Sequence, residues 1–255
     1  MVERVTESVM VIGEGGSSNV VVIEGKKCLI VVDTSLFPEK AEKIKRFAKD
    51  VFGKEVGYVI NTHYHPDHTF GNFAFRSSEI ISSNLTKKIL ENLDPQYIRR
   101  VWGEDSLRKY HVVLPNVTFQ DSFRETICER KITITRLGGH TPDSSVVFLE
   151  DEKILVAGDL VFNGYHPEVM EDSDIETWRK ALLKMLDMMP VSVIPGHGKP
   201  SNIKSISLMR EYLRKLVLFI EGNIDEIQLL KDKNFTERGF PELFESSIKV
   251  LTLSK

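Results

Sequence analysis

The chain has 255 residues, of which 41% are hydrophobic and 28% are charged, and its formal net charge is −3. The hydrophobic share is sufficient for a folded core, and the slightly acidic balance argues against a dedicated nucleic-acid binder.

The N-terminal segment and the cysteines indicate the cellular setting. Residues 1–16 carry several charges and no long apolar stretch, so we expect neither a signal peptide nor a membrane span. The 2 cysteines, Cys28 and Cys128, are not part of a Cys-x-x-Cys pattern, and Cys28 stands in an apolar run typical of a core. We therefore expect no disulfide framework and a cytoplasmic location.

The first part of the chain predicts a hairpin, a helix and a further strand. The hairpin ends at Asp33, and Pro38 is suited to the first turn of the helix that follows. The predicted elements are strands 9–12 and 20–23 around a loop from Gly13 to Ser18, strand 28–32, a helix from Pro38 to about Asp50, and strand 56–60.

The same order of elements returns later in the chain, at an offset of 146 − 20 = 126 residues. The predicted elements there are strands 146–149 and 154–158, a helix from about Asp174 to Asp187, and strand 191–194. Asp159 then corresponds to Asp33, and His197 corresponds to His63. Internal duplication explains this match, and so does the shared composition of two βαβ units.

Two such halves each expose one apolar sheet face, which is most simply buried against the other half. We therefore predict an α/β fold, a four-layer αβ/βα sandwich in which strand ends from both halves meet along one edge. Loops at such an edge commonly carry chemistry.

The remaining segments predict helices and two strands. These are a helix from Asn84, its cap, to Leu93, a helix from Gln96 to Tyr110, strands 112–119 and 132–135, a helix from Ile203 to Ile220, and two helices within residues 223–255. No low-complexity linker divides the chain. We predict a single domain over residues 1–255, with a helical insertion at about 83–110 and a C-terminal helical region at about 201–255.

A cluster of four metal-ligand residue types follows the strand that ends at Ile60. The sequence from residue 63 reads His-Tyr-His-Pro-Asp-His. Alternation in an extended segment places His63 and His65 on one side, and Pro66 then turns Asp67 and His68 elsewhere. Imidazole and carboxylate together suit a divalent ion. A closed structural zinc site is the alternative, but such sites favour cysteine, and this run has none.

Three further candidates, His140, Asp159 and His197, each follow an apolar strand and stand among glycines. Glycine allows the backbone of a ligand loop to approach a metal closely. Together with the four clustered residues they make seven ligands, the number that suits two ions sharing one bridging carboxylate.

These motifs resemble those of the metallo-β-lactamase fold superfamily of metal-dependent hydrolases. The resemblance covers nearly the whole chain to residue 200. It implies that His63, His65 and His140 bind a first metal, that Asp67, His68 and His197 bind a second, and that Asp159 bridges them. It also implies that Asp33 orients a ligand loop from outside the metal shell.

Differences from two branches of this superfamily limit which subfamily the chain resembles. Exported class B β-lactamases commonly have cysteine where Asp159 stands. Residues 139–142 and 195–198 are instead similar to glyoxalase II and related stand-alone hydrolases, although the substrate-binding region of glyoxalase II has no match here.

The resemblance implies a hydrolase in which a hydroxide bridging two divalent ions attacks an ester-like bond of a small molecule, such as a thioester or lactone. Zinc is the favoured metal, with iron or manganese as alternatives. Asp67 would orient the hydroxide and accept its proton. Two alternative functions remain. One is a phosphodiesterase or nuclease of the same fold, in which a phosphate would meet Arg99, Arg100, Arg108 and Lys109. The other is a non-hydrolytic iron redox or sensor module. Tyr64 and His166 are the candidate substrate contacts.

Overall fold

The structure, a computed structural model, describes residues 2–13 and 16–253. The strands are β1 (Val2–Arg4), β2 (Val9–Ile12), β3 (Val20–Glu24), β4 (Leu29–Val32), β5 (Val56–Ile60), β6 (Glu79–Ser83), β7 (Val117–Phe119), β8 (Ser122–Ile127), β9 (Arg130–Arg136), β10 (Ser145–Leu149), β11 (Ile154–Phe162) and β12 (Ser192–His197).

The helices cover both outer faces and the C-terminal region. They are α1 (Pro38–Phe52), α2 (Pro66–Thr69), α3 (Asn84–Glu91), α4 (Pro95–Trp102), α5 (Glu104–Leu107), α6 (Ile175–Asp187), α7 (Lys204–Ile220), α8 (Glu226–Leu230), α9 (Lys233–Thr236) and α10 (Pro241–Leu253), and a 3-10 helix spans Phe70–Phe75. Residues 14 and 15 of the predicted Gly13–Ser18 loop, and the last two residues of the predicted C-terminal helical region, lie outside the described residues.

The strands form two sheets. The first has the order β1-β2-β3-β4-β5-β6-β7 and the second the order β12-β11-β10-β9-β8. In each sheet an antiparallel hairpin, β3–β4 or β10–β11, is followed by a helix and then by a strand parallel to the second hairpin strand. Because parallel strands end at the same edge, the loops after β4 and β5 meet there, and so do those after β11 and β12.

Alternation along the strands produces the layers. In β3, Val20 and Val22 pack under α1, whereas Val21 and Ile23 pack between the sheets. In the second sheet the opposite face packs against α6 and α7, around Trp178. Period-two alternation with both faces apolar is what a strand covered on both sides requires. The predicted four-layer α/β sandwich is therefore confirmed.

Several predicted boundaries differ from the structure. The helix predicted over 96–110 ends at Trp102, because Gly103 has φ 75° and starts the short α5. The strand predicted over 112–119 is confined to β7. Ser83, not Asn84, caps α3, since its Oγ accepts a hydrogen bond from the Thr86 amide at 3.0 Å. Residues 223–253 form three helices, α8 to α10, where two were predicted.

The expectation of no disulfide is wrong. Cys28, just before β4, is bonded to Cys128 in the turn between β8 and β9, with their Cα atoms 5.5 Å apart. The two cysteines are separated by 100 positions, so only the packing of the sheets brings them together. The bond joins the two sheets at the start of β4, whereas Asp33 follows the other end of that strand.

None of the helices in residues 2–13 and 16–253 is long and apolar enough to cross a membrane.

Candidate metal centre

Side chains of the metal-ligand type converge where strands of both sheets end. His63 and His65 lie in the loop after β5, and Asp67 and His68 lie in α2. His140 follows β9, Asp159 lies within β11, and His197 ends β12. The edge that the parallel strands share thus carries all seven residues.

Two glycines allow these strands and loops to approach closely. A Cβ at Gly196 would overlap Oδ1 of Asp159, so only glycine permits β12 to lie against this carboxylate. Gly158 has φ 52°, and a Cβ there would lie 2.8 Å from Oγ1 of Thr62. A side chain at either position would displace a ligand loop.

The ligand atoms fall into two groups. Atoms of His63, His65, His140 and Asp159 lie within 4.8 Å of one another, and so do atoms of Asp67, His68 and His197. Asp159 reaches both groups, because its Oδ2 lies 3.5 Å from Nε2 of His140 and 3.4 Å from Nε2 of His197. One carboxylate between two ligand groups is the arrangement that a bridged pair of ions requires.

Orphaned polar atoms indicate that the donor set fits metal. Nε2 of His63 is buried and makes no hydrogen bond within the described part of the chain, and Nε2 of His68 makes ion-pair contacts with Asp159 and Asp67 but no hydrogen bond. Leaving such atoms unpaired costs stability unless another partner satisfies them. Imidazole nitrogens and carboxylate oxygens without cysteine suit zinc, iron or manganese.

Comparison with known proteins agrees with this geometry. A family model described as the metallo-beta-lactamase superfamily matches residues 13–197, well over half of the chain. The chain belongs to the metallo-β-lactamase superfamily. A solved metallo-beta-lactamase from Pontibacter korlensis matches with a TM-score of 0.69 at 22% identity, covering 84% of this chain and 98% of that one, and this likeness shows the shared fold.

Relatives within the superfamily include enzymes of different specificity. A linear primary-alkylsulfatase from Pseudomonas is 24% identical over 215 residues, which is 70% of this chain and 41% of that protein. The chain therefore spans less than half the length of this relative. The acyl-coenzyme A thioesterase MBLAC2 of Homo sapiens is 24% identical over 205 residues, covering 72% of this chain and 74% of the relative. The names of both relatives describe hydrolases, and the two act on different bonds, a sulfate ester and a thioester.

Four of the histidines, His63, His68, His140 and His197, direct Nε2 towards the centre and are oriented by a contact of Nδ1. The outer Nδ1 atoms lie 2.8–3.0 Å from their partners: Oγ1 of Thr62 for His63, Oδ2 of Asp33 for His68, and the carbonyl oxygens of Glu168 for His140 and Gly16 for His197. Such contacts fix the ring plane and the tautomer of a metal-binding histidine.

Three of the histidines are neutral in the folded protein. Burial lowers the pKa of His65 to about 4 and that of His140 to about 3. Burial, together with the neighbouring rings of His68 and His65, lowers the pKa of His63 well below its usual value. Neutral imidazole is the form that binds a metal, so these three rings need release no proton.

His68 and His197 have the opposite shift. Burial favours their neutral forms, but the Asp159 and Asp67 carboxylates outweigh it and raise the pKa of His197 to about 10 and that of His68 well above its usual value. Burial likewise opposes the charged form of Asp67, yet His68 and His197 lower the pKa of Asp67 to about 2. At His68 and His197 the neighbouring carboxylates thus outweigh burial, whereas burial dominates at the other three rings.

Asp33 lies behind His68 and ties three parts of the ligand loop together. Its Oδ1 accepts a hydrogen bond from the Thr62 amide at 2.8 Å, and its Oδ2 accepts one from Oγ1 of Thr62 at 2.8 Å. Nδ1 of His68 lies 2.8 Å from the same Oδ2. Burial raises the pKa of Asp33, and His68 opposes that shift. The orienting role that the resemblance implies for Asp33 stays a prediction.

The two candidate substrate contacts occupy different environments. Tyr64 lies beside His65, and its hydroxyl donates a hydrogen bond to Oδ2 of Asp172 at 3.0 Å. His166 is buried under the C-terminal helices, where its Nδ1 lies 2.7 Å from the hydroxyl of Tyr212 and its ring packs against Phe244.

An open cavity of about 530 Å³, here called the first cavity, lies beside the ligands. His65, Asp67 and His197 are in its wall. The side chain of Asp67 is 32% exposed whereas that of Asp159 is 3% exposed, so Asp67 is the ligand carboxylate that a bound molecule can reach.

Sequence reasoning missed two residues that shape this centre. Glu168 lines the first cavity, and burial raises the pKa of its carboxyl, assisted by Asp159 and Asp67. Asn19 donates hydrogen bonds from Nδ2 to the carbonyl oxygens of Pro195 and Gly198 at 2.9 and 2.8 Å, and thereby fixes the loop around His197. Neither residue is part of a recognisable motif, because their contacts are with distant segments or with backbone atoms.

Proposed function

We propose that the chain hydrolyses an ester-like bond of a small molecule, such as a thioester or lactone, with two divalent ions, zinc being favoured. The observation that carries this proposal is the pair of ligand groups joined by Asp159 beside an open cavity. In this assignment His63, His65 and His140 hold one ion, Asp67, His68 and His197 hold the other, and Asp159 serves both.

Bound ions of this kind activate water at neutral pH and polarise a substrate oxygen. The chain's own residues supply position and proton transfer. Asp159, which lies against Gly196, keeps the two ligand groups at a fixed separation. Asp33 holds the ring of His68 through Nδ1.

Asp67 is the proton acceptor in this proposal. It combines a ligand position with access to the cavity, since its side chain is 32% exposed and lines the cavity wall. A charged, accessible carboxylate can orient the attacking water, take its proton and pass that proton to the departing group.

The same geometry argues against the phosphodiesterase alternative. The basic residues that would meet a phosphate, Arg99, Arg100, Arg108 and Lys109, are not among the residues that line the first cavity. Arg99 is 63% exposed and forms an ion pair with Glu104 at 2.8 Å, as expected for a solvated helix face.

The test is a comparison of three chromogenic substrates, a thioester, bis-(p-nitrophenyl) phosphate and an aryl sulfate, with metal content measured on the same sample. We expect turnover of the thioester that is lost with a chelator and restored by zinc. Turnover of the phosphodiester or the sulfate alone would refute the ester assignment, and an iron content with no hydrolysis would favour a redox or sensor module.

A further inference from the structure

A second cavity adjoins the candidate metal centre at His65. It has a volume of about 640 Å³, and Tyr64 and His65 are in its wall. The first and second cavities share His65, Tyr97 and Met170 as lining residues. Because His65 belongs to the ligand set, a molecule held at the metal centre can extend into both.

The apolar wall of the first cavity is built in part by the C-terminal helices. Phe240, just before α10, and Leu243, in its first turn, line this cavity together with Phe37 and Val101. The ring of Phe240 packs on Tyr165 at 5.0 Å, and the carbonyl of Gly239 accepts a hydrogen bond from the His166 amide at 3.0 Å. Phe240 and Leu243 lie beyond the residues that the family model matches.

The apolar wall of the second cavity is built by the helical insertion. Leu85 and Ile89 lie four positions apart on α3, and therefore share one helix face, with Leu93 next to them. Their neighbours Thr86 and Leu90 point into the protein and are buried. Leu85 and Ile89 are half-buried, so part of each side chain is open to the cavity that they line.

Charged side chains in the two cavities do not favour a charged ligand. Apart from the metal ligands, the first cavity has Lys40 and Glu168, and the second has Lys88 and Asp94. Each cavity thus has one positive and one negative group, so neither presents a field of one sign.

We infer that the substrate carries hydrocarbon on both sides of its scissile bond, with one arm in each cavity. The inference rests on the proposed ester hydrolysis and names its substrate class: an ester with an apolar acyl group and an apolar leaving group. Leu243 and Ile89 are then the residues that select for chain length, each in its own cavity.

The test uses two series of oxygen esters on the metal-loaded protein. One series lengthens the acyl group from acetyl to octanoyl on ethanol, and the other lengthens the alcohol from ethyl to octyl on acetate. We expect kcat/KM to rise about fourfold for each methylene buried, in both series, until the cavity is filled. A flat response in either series while the short esters are cleaved would overturn the inference and leave the proposed function standing.

Variants that fill one cavity separate the two arms. Leu243→Trp should abolish the chain-length gain in one series only, and Ile89→Trp should abolish it in the other. Leu230→Trp is the matched control, because Leu230 is 63% exposed and lines neither cavity, and it should change neither series. If a Trp variant fails to fold, Leu243→Ala and Ile89→Ala replace the pair and should reduce the gain per methylene in separate series. Variants that act on the same series would overturn the two-armed assignment.

If no ester is cleaved, the proposed function fails, and a binding measurement then tests the two apolar cavities separately. Calorimetry compares octanoate with acetate, and octan-1-ol with ethanol, on the same proteins. We expect the eight-carbon compound to bind at least about tenfold more tightly in both pairs, with each Trp variant removing the difference in one pair. Equal affinities of long and short compounds would overturn the inference.

Discussion

Asp67 and Asp159 are both carboxylates of the candidate metal centre, yet their surroundings differ. Asp159 is 3% exposed and contacts both ligand groups, whereas Asp67 is 32% exposed and faces the first cavity. Charge removal at Asp67 should therefore affect proton transfer more than the assembly of the site.

The variant Asp67→Asn tests this division. It keeps the shape and one oxygen ligand but removes the charge and the proton acceptor. We expect the first-group metal and thermal stability to be retained, and turnover to fall by about 100-fold or more. Turnover against pH, with metal content alongside, is the measurement, and wild-type rates at neutral pH would exclude Asp67 from the mechanism.

His166 should make stability depend on pH. Burial lowers its pKa to about 4, so the unfolded chain, in which the pKa returns to its ordinary value near 6.5, binds the proton first as the pH falls. The stabilising contribution is thus fully present above pH about 6.5 and is lost as the pH falls towards 4. His166→Gln keeps a polar partner for Tyr212 without titrating. Between pH 7 and 5 the Tm of the wild type should fall further than that of the variant, and parallel curves would contradict this.

At the scale of elements, the C-terminal helices hold the loop that follows β11. Arg238, just after α9, donates hydrogen bonds from Nη1 to the carbonyl oxygens of Phe162 at 3.1 Å and Tyr165 at 2.5 Å, and its guanidinium lies 4.9 Å from the ring centroid of Tyr212. Phe162 and Tyr165 both line the first cavity.

We therefore expect Arg238→Met to lower the free energy of unfolding by about 2 kcal/mol, because it leaves two part-buried acceptors without a charged donor. It should also raise KM for a long ester. The control is Arg214→Met, whose exposed pair with Glu211 should contribute less than about 0.5 kcal/mol. Denaturant unfolding of both variants measures the difference, and equal losses would show that Arg238 does not secure the loop.

The elements that sequence predicted well are those whose pattern is local. The β-branched composition of Val20 to Ile23 predicts a strand. The candidate ligand positions were predicted from apolar runs that end in histidine or aspartate. The helix predicted through Gly103 failed because one residue at positive φ ends it. Strand β8 has a mostly exposed sequence, Ser-Phe-Arg-Glu-Thr-Ile, with a charged pair at its centre. It is held in the sheet by pairing with β9, which no local pattern reveals.

At the scale of the whole molecule, the disulfide and the metal centre lie at opposite ends of β4. Sequence could not predict the bond, since the packing of two sheets decides which cysteines meet. Disulfides persist mainly in oxidising compartments, so this bond weighs against the cytoplasmic location, which stays a prediction.

Removal of the bond should cost stability and spare the site. For a loop of 100 residues we expect Cys28→Ser with Cys128→Ser to lose about 2–5 kcal/mol of unfolding free energy. Cys28→Ser alone should lose a similar amount, because either change breaks the bond. Metal content should be unchanged in both. A loss of metal together with stability would show that the distant edge supports the ligand loops.

The central claim, that seven side chains hold two ions, is tested most directly by counting metal ions per chain. Elemental analysis after reconstitution with excess zinc and removal of free metal should give two ions for the wild type. His140→Ala should lose an ion while the protein stays folded, and Asp159→Ala should disturb both. Saturation of the wild-type chain at one ion would contradict the dinuclear account.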